Sequence, residues 1–332
     1  MFKEKDFIKM AKRNVKNIVF PEADFSERTI NAVCYIIKHK IANVTLLGDE
    51  QSLAGKLKSH HCHGVTIINP KTSALREELL NELLKIRKDK GLTKDQAEKL
   101  LDDNYYFATM LVQCGYADGA LGGTEGPTAN VLRPALQIIK AKKGIKTVSS
   151  CFIMVGTKKL DMGENNVMIL ADCALNPNPT ADELYDIALS TAETAKTLCN
   201  INPKIAMLSF STLGSGGDKN EIVNKVRLAS EKLRTTKLCI DGEMQFDCAV
   251  VKKVAKVKAR DSKVAGKANI LIFPELNSGN IGYKIMQRVG KLSAVGVIMQ
   301  GLNKPCNDLS RGCSEKDIVT MTAITSLQAQ QK

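Results

Sequence analysis

Two short apolar runs, Asn17-Ile18-Val19-Phe20 and Ala42-Asn43-Val44-Thr45-Leu46-Leu47-Gly48, bracket a stretch from Ser26 to Lys40 whose apolar residues recur at helical spacing. Ser26 stands where an N-cap is needed. The stretch therefore reads strand, helix, strand, and the pattern continues outward. Ala120-Leu121-Gly122-Gly123 ends a strand, and Ala129 to Lys143 reads as a helix. In the second half, Val167-Met168-Ile169-Leu170, Ile205-Ala206-Met207-Leu208-Ser209-Phe210 and Ile270-Leu271-Ile272-Phe273 read as strands. Thr180 to Leu198 and Asn220 to Leu233 read as helices, and Leu79 to Leu101 is a charged amphipathic stretch broken at Gly91. Such alternation predicts an α/β fold with parallel-rich sheets flanked by helices. A chain of 332 residues has room for two cores. The charged, flexible break Ala141-Lys142-Lys143-Gly144 marks one domain crossing, and a second is expected near Gly296. The first domain would then be discontinuous, residues 1–143 plus 296–332, with residues 144–295 forming the second.

Composition narrows the function. With 44% hydrophobic and 25% charged residues, long disorder is excluded. A formal net charge of +13 favours anionic partners: nucleic acid, an anionic membrane or a phosphorylated small molecule. The basic residues are scattered, there is no Trp, and aromatics make up 5%, so stacking platforms for single strands are scarce. No specific nucleic acid is expected as a partner. The 10 Cys show no C-x-x-C spacing, which removes zinc ribbons and thioredoxin-type motifs. No apolar run approaches a membrane span, and Met1 to Asp6 is followed by no apolar signal region. A cytoplasmic protein with reduced thiols and no membrane partner is the expectation. The tract His60-His61-Cys62-His63 reads either as a metal site or, more simply, as an exposed loop.

Three glycine-bearing loops each follow a strand and precede a helix: Gly122 to Thr128, Ser211 to Gly217, and Pro274 to Asn280. Glycine lets backbone approach a ligand, and helix N-termini favour anions. Any one such loop can equally be a structural turn, and none carries a P-loop or a clean G-x-G-x-x-G pattern. Arg133 lies in the helix after the first loop and Arg288 in the helix after the third, each a fork of donors suited to phosphate or simply solvated. The run Asn303-Lys304-Pro305-Cys306-Asn307-Asp308-Leu309-Ser310-Arg311-Gly312-Cys313-Ser314-Glu315-Lys316-Asp317 concentrates a hydroxyl, a guanidinium, a glycine and carboxylates before one helix. By spacing alone, Ser314 with Asp317 is close to a capping box.

That run resembles the phosphate acetyltransferase (phosphotransacetylase) family, within the phosphate acetyl/butyryltransferases. Further matching blocks extend the likeness through nearly the whole chain. They are Pro21-Glu22, Arg133 to Lys140, Ala171 to Ala181, Ser209 to Thr212, Asp241 to Asp247 and Phe273 to Lys284. The resemblance implies two α/β domains with the active site in the cleft between them, and a homodimer. It implies reversible acyl transfer between acetyl phosphate and coenzyme A, with no tightly bound cofactor and CoA as a substrate. Asp317 would be the base for the CoA thiol, Ser310 would hydrogen-bond the acyl group, and Arg311 would hold the phosphate. Arg133, Arg288, Arg87, Thr128, Asn280 and Tyr283 would bind substrate, and Cys313 would form no acyl-enzyme. In one loop the sequence departs from the family, whose usual Ser, His and second Ser are replaced by Gly122, Gly126 and Pro127. This bears on the acyl pocket.

The residue types suit the chemistry. A thiol near pKa ~8.5 is mostly protonated at neutral pH, and a positioned carboxylate can take its proton as attack begins. Acyl phosphate is already activated, so phosphate can leave without a metal if cations balance its charge. The competing readings are a phosphate butyryltransferase-like enzyme with longer acyl preference and a non-catalytic relative.

Overall fold

The computed structural model describes residues 1–217 and 219–331. In chain order the elements begin with α1 (Glu4–Ala11), β1 (Asn17–Phe20), α2 (Glu27–Lys38), β2 (Asn43–Leu47), α3 (Glu50–Ser59), β3 (Thr66–Ile68), α4 (Arg76–Ile86), α5 (Lys94–Leu101) and α6 (Asn104–Cys114). Next come β4 (Gly119–Gly122), α7 (Thr128–Pro134), β5 (Ser149–Val155), β6 (Val167–Ala171), α8 (Ala181–Cys199), β7 (Lys204–Leu208), α9 (Glu221–Arg234) and β8 (Cys239–Met244). The chain continues through α10 (Phe246–Val250), α11 (Lys252–Lys258), β9 (Ile270–Ile272), α12 (Leu276–Arg288), β10 (Ser293–Gln300), β11 (Cys306–Asp308) and α13 (Glu315–Ala329). It divides into two compact units, one built from Lys5–Lys142 and the residues from Leu302 onward, the other from Met1–Glu4 and Lys143–Gly301.

In the first unit five strands form an all-parallel sheet in the order β11-β4-β1-β2-β3. Strand order reverses beside β1, so a topological switch point lies between β1 and β4, where ligands of open α/β sheets collect at the carboxyl ends. β1 and β2 are buried along nearly their whole length, which is why they read as short, mostly apolar runs. Register places Asp308 level with Gly122 at that carboxyl edge. Ser26 caps α2 by accepting from the Thr29 N–H. The break at Gly91 is a left-handed residue with φ +68°, after which Thr93 and Gln96 open α5 with a capping box. The helix expected over 129–143 is shorter. Pro134 has no N–H to donate, the chain past it winds as a π turn over Ala135–Ile139, and Lys140 ends it at φ +60°. Helix α13 is buried on nearly every side from Ile318 to Leu327 and packs on α2, β1, β4 and β11. Its first turn, Glu315 to Asp317, is exposed or half-buried and runs directly into this buried segment.

In the second unit the sheet order is β10-β5-β6-β9-β7-β8. β6, β9, β7 and β8 are parallel, and β5 and β10 extend one side of the sheet through antiparallel pairings. Thr180 and Asn220 cap α8 and α9, the former in a full capping box with Glu183.

Candidate active site

Strand β11 delivers Asp308 to the end of the sheet, and a tight loop then carries Ser310 and Arg311 to the start of α13. The Leu309 N–H donates to Gly122 O at 2.8 Å, and the Cys313 N–H to Ser310 O at 2.8 Å. Ser310 Oγ accepts from the Gly312 N–H at 3.3 Å, and its side chain is exposed. The Arg311 guanidinium is also exposed and makes no hydrogen bond or ion pair with the described residues. At the helix start the capping box is present: Ser314 Oγ accepts from the Asp317 N–H at 3.2 Å, and Asp317 Oδ2 accepts from the Ser314 N–H and hydroxyl, each at 2.8 Å. Asp317 Oδ1 accepts from none of the described residues. The local reading of Asp317 as a cap thus holds, and it leaves one carboxylate oxygen unspent for a proton. Burial pushes the nearby Cys313 thiol up to about 11, eased by Arg28 and reinforced by Asp317. A thiol so held is a poor nucleophile.

Two residues that sequence reasoning missed organise this region. Arg28 of α2 donates to Arg311 O at 3.0 Å and Cys313 O at 2.7 Å through one nitrogen. Through the other it reaches Thr124 O at 2.8 Å and Glu125 Oε1 at 2.9 Å. It staples the Ser310–Ser314 loop to the loop after β4. Glu22, only 4% exposed, lies beneath the latter loop. Its carboxylate accepts from the N–H groups of Thr124, Glu125 and Gly126 at 2.7, 3.0 and 2.7 Å, from Thr124 Oγ1 at 3.0 Å and from the Tyr105 hydroxyl. The amides of the first glycine loop are therefore spent on an internal carboxylate, the structural alternative weighed for such loops. The other two loops follow suit. Glu243 accepts from the Gly214 N–H at 2.7 Å, and Glu275 from the Asn277 and Ser278 N–H groups at 2.7 Å each.

Burial would raise the Glu22 pKa, but the Tyr105 hydroxyl and the Gly126, Glu125 and Thr124 amides outweigh it and hold the carboxyl below its usual range. Glu22→Gln is expected to cost about 2–3 kcal/mol at neutral pH, because an amide turns a donor toward donors. A depressed acid contributes stability above its unfolded value, about 4.3, and loses it as pH falls through the folded value. The gap between wild type and variant in urea unfolding should therefore shrink below about pH 4.

Two glycines of this loop are closely packed. A Cβ on Gly126 would stand 2.2 Å from the Tyr105 hydroxyl, and one on Gly122 would stand 3.1 Å from both Pro21 and Val131 side chains. Tyr105 fills the space that a side chain at position 126 would occupy.

Of the other sequence-predicted residues, Thr128 opens α7 and its hydroxyl donates to Asp308 Oδ2 at 2.6 Å. Burial pushes the Tyr106 phenol up; the charge of Arg133 near the end of α7 eases this, Asp103 reinforces it and Arg87 after α4 eases it. The Arg87 Nε is buried without a partner among the described residues. No hydrogen bond or ion pair among the described residues joins Arg87 or Arg133 to the Ser310–Asp317 loop. Arg288, Asn280 and Tyr283 lie on α12 of the second unit. Asn280 donates to Cys173 O at 3.0 Å and accepts from Lys284 at 2.8 Å, so its amide is engaged within the unit. Tyr283 stacks on Phe152 with ring centroids 4.0 Å apart.

A cavity of about 650 Å³ opens at the carboxyl ends of β1, β2 and β3, lined among others by Glu22, Asp24, Asp49, Lys71, Tyr105 and Glu125. None of the sequence-predicted residues lines it. Among the described residues no cluster of three or more His, Cys, Asp or Glu is arranged to hold a metal. His60 of the histidine tract pairs instead with Glu27 at 2.8 Å.

The family model described as phosphate acetyl/butaryl transferase matches residues 2–326. The chain belongs to this family. A phosphate acetyltransferase of Clostridium acetobutylicum is 47% identical over 324 residues, spanning 96% of this chain and 96% of that protein. One from Thermoanaerobacterium thermosaccharolyticum is 47% identical over 325 residues, spanning 97% and 98%. Among solved structures, a phosphotransacetylase from Streptococcus pyogenes is similar to this family member with a TM-score of 0.91 at 44% identity, covering 98% of each chain.

Proposed function

We propose that this chain is a phosphate acetyltransferase, catalysing the reversible reaction acetyl-CoA + phosphate = acetyl phosphate + CoA. The near-full-length identity to phosphate acetyltransferases carries the assignment. In the mechanism we read for it, Asp317 Oδ1 takes the proton of the CoA thiol while Oδ2 stays in the cap. The sulfur forms a bond to the acetyl carbonyl carbon as the thiol proton leaves. The Ser310 hydroxyl donates to the carbonyl oxygen, where negative charge grows. Arg311 faces the phosphate, whose bond to carbon breaks with the electron pair staying on oxygen. What supports these roles is the family resemblance together with an exposed hydroxyl, an unspent guanidinium and a half-engaged carboxylate on one loop and helix turn. Arg87, Arg133, Thr128, Arg288, Asn280 and Tyr283 complete the proposed substrate contacts. The scattered positive charge suits a polyanion such as CoA. The reading carries with it a cytoplasmic homodimer. In keeping with the second copy, Ile281 and Ile285 of α12 and its C-cap residue Val289 are exposed by 56%, 54% and 78% along one face.

Mixing the protein with CoA and a series of acyl phosphates tests the assignment by thioester formation. Acetyl phosphate is expected to be preferred and propionyl phosphate tolerated. A clear preference for butyryl phosphate would move the chain to the butyryl branch and trace the change to the Gly122–Thr128 loop.

A further inference from the structure

We propose that Asp308 is a positioning residue for acetyl transfer: its buried carboxylate ties the first residue of α7 to the end of β11 and so sets the stance of the Ser310–Arg311 loop. The proposal rests on the acetyltransferase reading above. Asp308 is 1% exposed, and its Oδ2 accepts from Thr128 Oγ1 at 2.6 Å. Its Oδ1 is buried and has no partner among the described residues. It sits beside Gly123, whose φ is +92° and where a Cβ would stand 2.1 Å from that oxygen. The next residue, Leu309, is pinned to Gly122 O, and Ser310 follows at once.

Packing does not account for this arrangement. An asparagine could accept the same hydrogen bond from Thr128 without burying an ionisable group, and a half-satisfied buried carboxyl is costly. Burial pushes its pKa up to about 7, the Thr128 hydroxyl opposes that, Glu22 adds to it and the Leu309 backbone N–H eases it. The packed elements also carry Arg133 on α7 and Glu315, Lys316 and Asp317 on α13, but Glu22 is the charge that acts on Asp308. Once ionised, the carboxylate makes a charge-assisted bond to Thr128, shorter and stiffer than a neutral one. Ionisation would thus tighten the link between α7 and β11 just where the catalytic loop begins.

The test is a set of steady-state profiles over about pH 5.5 to 8.5 with acetyl phosphate and CoA, together with thermal melts. In wild type, kcat should rise through an inflection near 7 as Asp308 ionises. Asp308→Asn should melt no lower than wild type at pH ~8, since it removes a buried charge. It should lower kcat by roughly tenfold, leave both KM values within about twofold and lose the inflection, because loop placement matters to chemistry more than to binding. Should the Asn variant fail to fold, Thr128→Val removes the other half of the bond. It should move the inflection to higher pH, which loss of a substrate contact at Thr128 would not do. Wild-type kcat and an unchanged profile in either folded variant would overturn the proposal. Wild type that forms no acetyl-CoA would instead overturn the acetyltransferase reading itself.

Discussion

Asp317→Asn is expected to leave the fold intact and lower kcat by about 10²–10⁴-fold. The geometry makes the substitution informative. Asp317 Oδ2 receives the Ser314 N–H and hydroxyl, and the Asn carbonyl can take over that role. The capping box then survives, and the helix loses only the attraction between a carboxylate and its N-terminal dipole, a few tenths to about 1 kcal/mol. What Asn cannot do is accept the thiol proton on the oxygen that faces away from the cap. Stability and turnover therefore separate: a cap alone predicts a small shift in melting and near-normal kcat, and a base predicts the reverse. A correctly folded Asn variant within about threefold of wild-type turnover, only ~0.65 kcal/mol in barrier, would leave Asp317 as a cap.

The second large effect is expected at Arg311. Arg311→Ala should reduce kcat by about 10²–10³-fold, since charge on the departing phosphate loses a fixed cation. Little fold stability should be lost, because the Arg311 guanidinium is exposed and holds no internal partner; Arg28 grips the Arg311 backbone carbonyl, which every substitution retains. Arg311→Lys should recover only part of the loss, because a single ammonium cannot offer the planar fork of donors. Near-normal turnover in Arg311→Ala, with melting unchanged, would remove Arg311 from the reaction.

These two residues were legible because their setting is local. Ser310, Arg311 and Asp317 fall within eight positions of one run, and a capping box is a three-residue spacing that any reader of the sequence can see. Their chemical roles came from the family resemblance, since spacing alone favoured the cap. The fold was legible for a similar reason. Strands β1, β2, β6, β7 and β9 stood out because parallel strands covered on both faces become short apolar runs between helical periods. Strand β5, buried along all seven residues, escaped notice, as did β3 and β11, whose polar residues Thr66, Asn307 and Asp308 break the apolar run that made the equally short β9 visible.

The sequence by itself thus determined the α/β class, the caps that start α2 and α13, and the stretch that carries the candidate chemistry. Only the tertiary structure decided what holds that stretch in place. Arg28 reaches carbonyls 283 and 285 positions away, and Glu22 gathers amides 102 to 104 positions away. Asp308 meets Thr128 across 180 residues. Partners so distant leave no periodicity or spacing in the chain. They become neighbours only when parallel strands β1, β4 and β11 bring their carboxyl ends to one edge, where burial turns a carboxylate from a solvated charge into a group that must find donors.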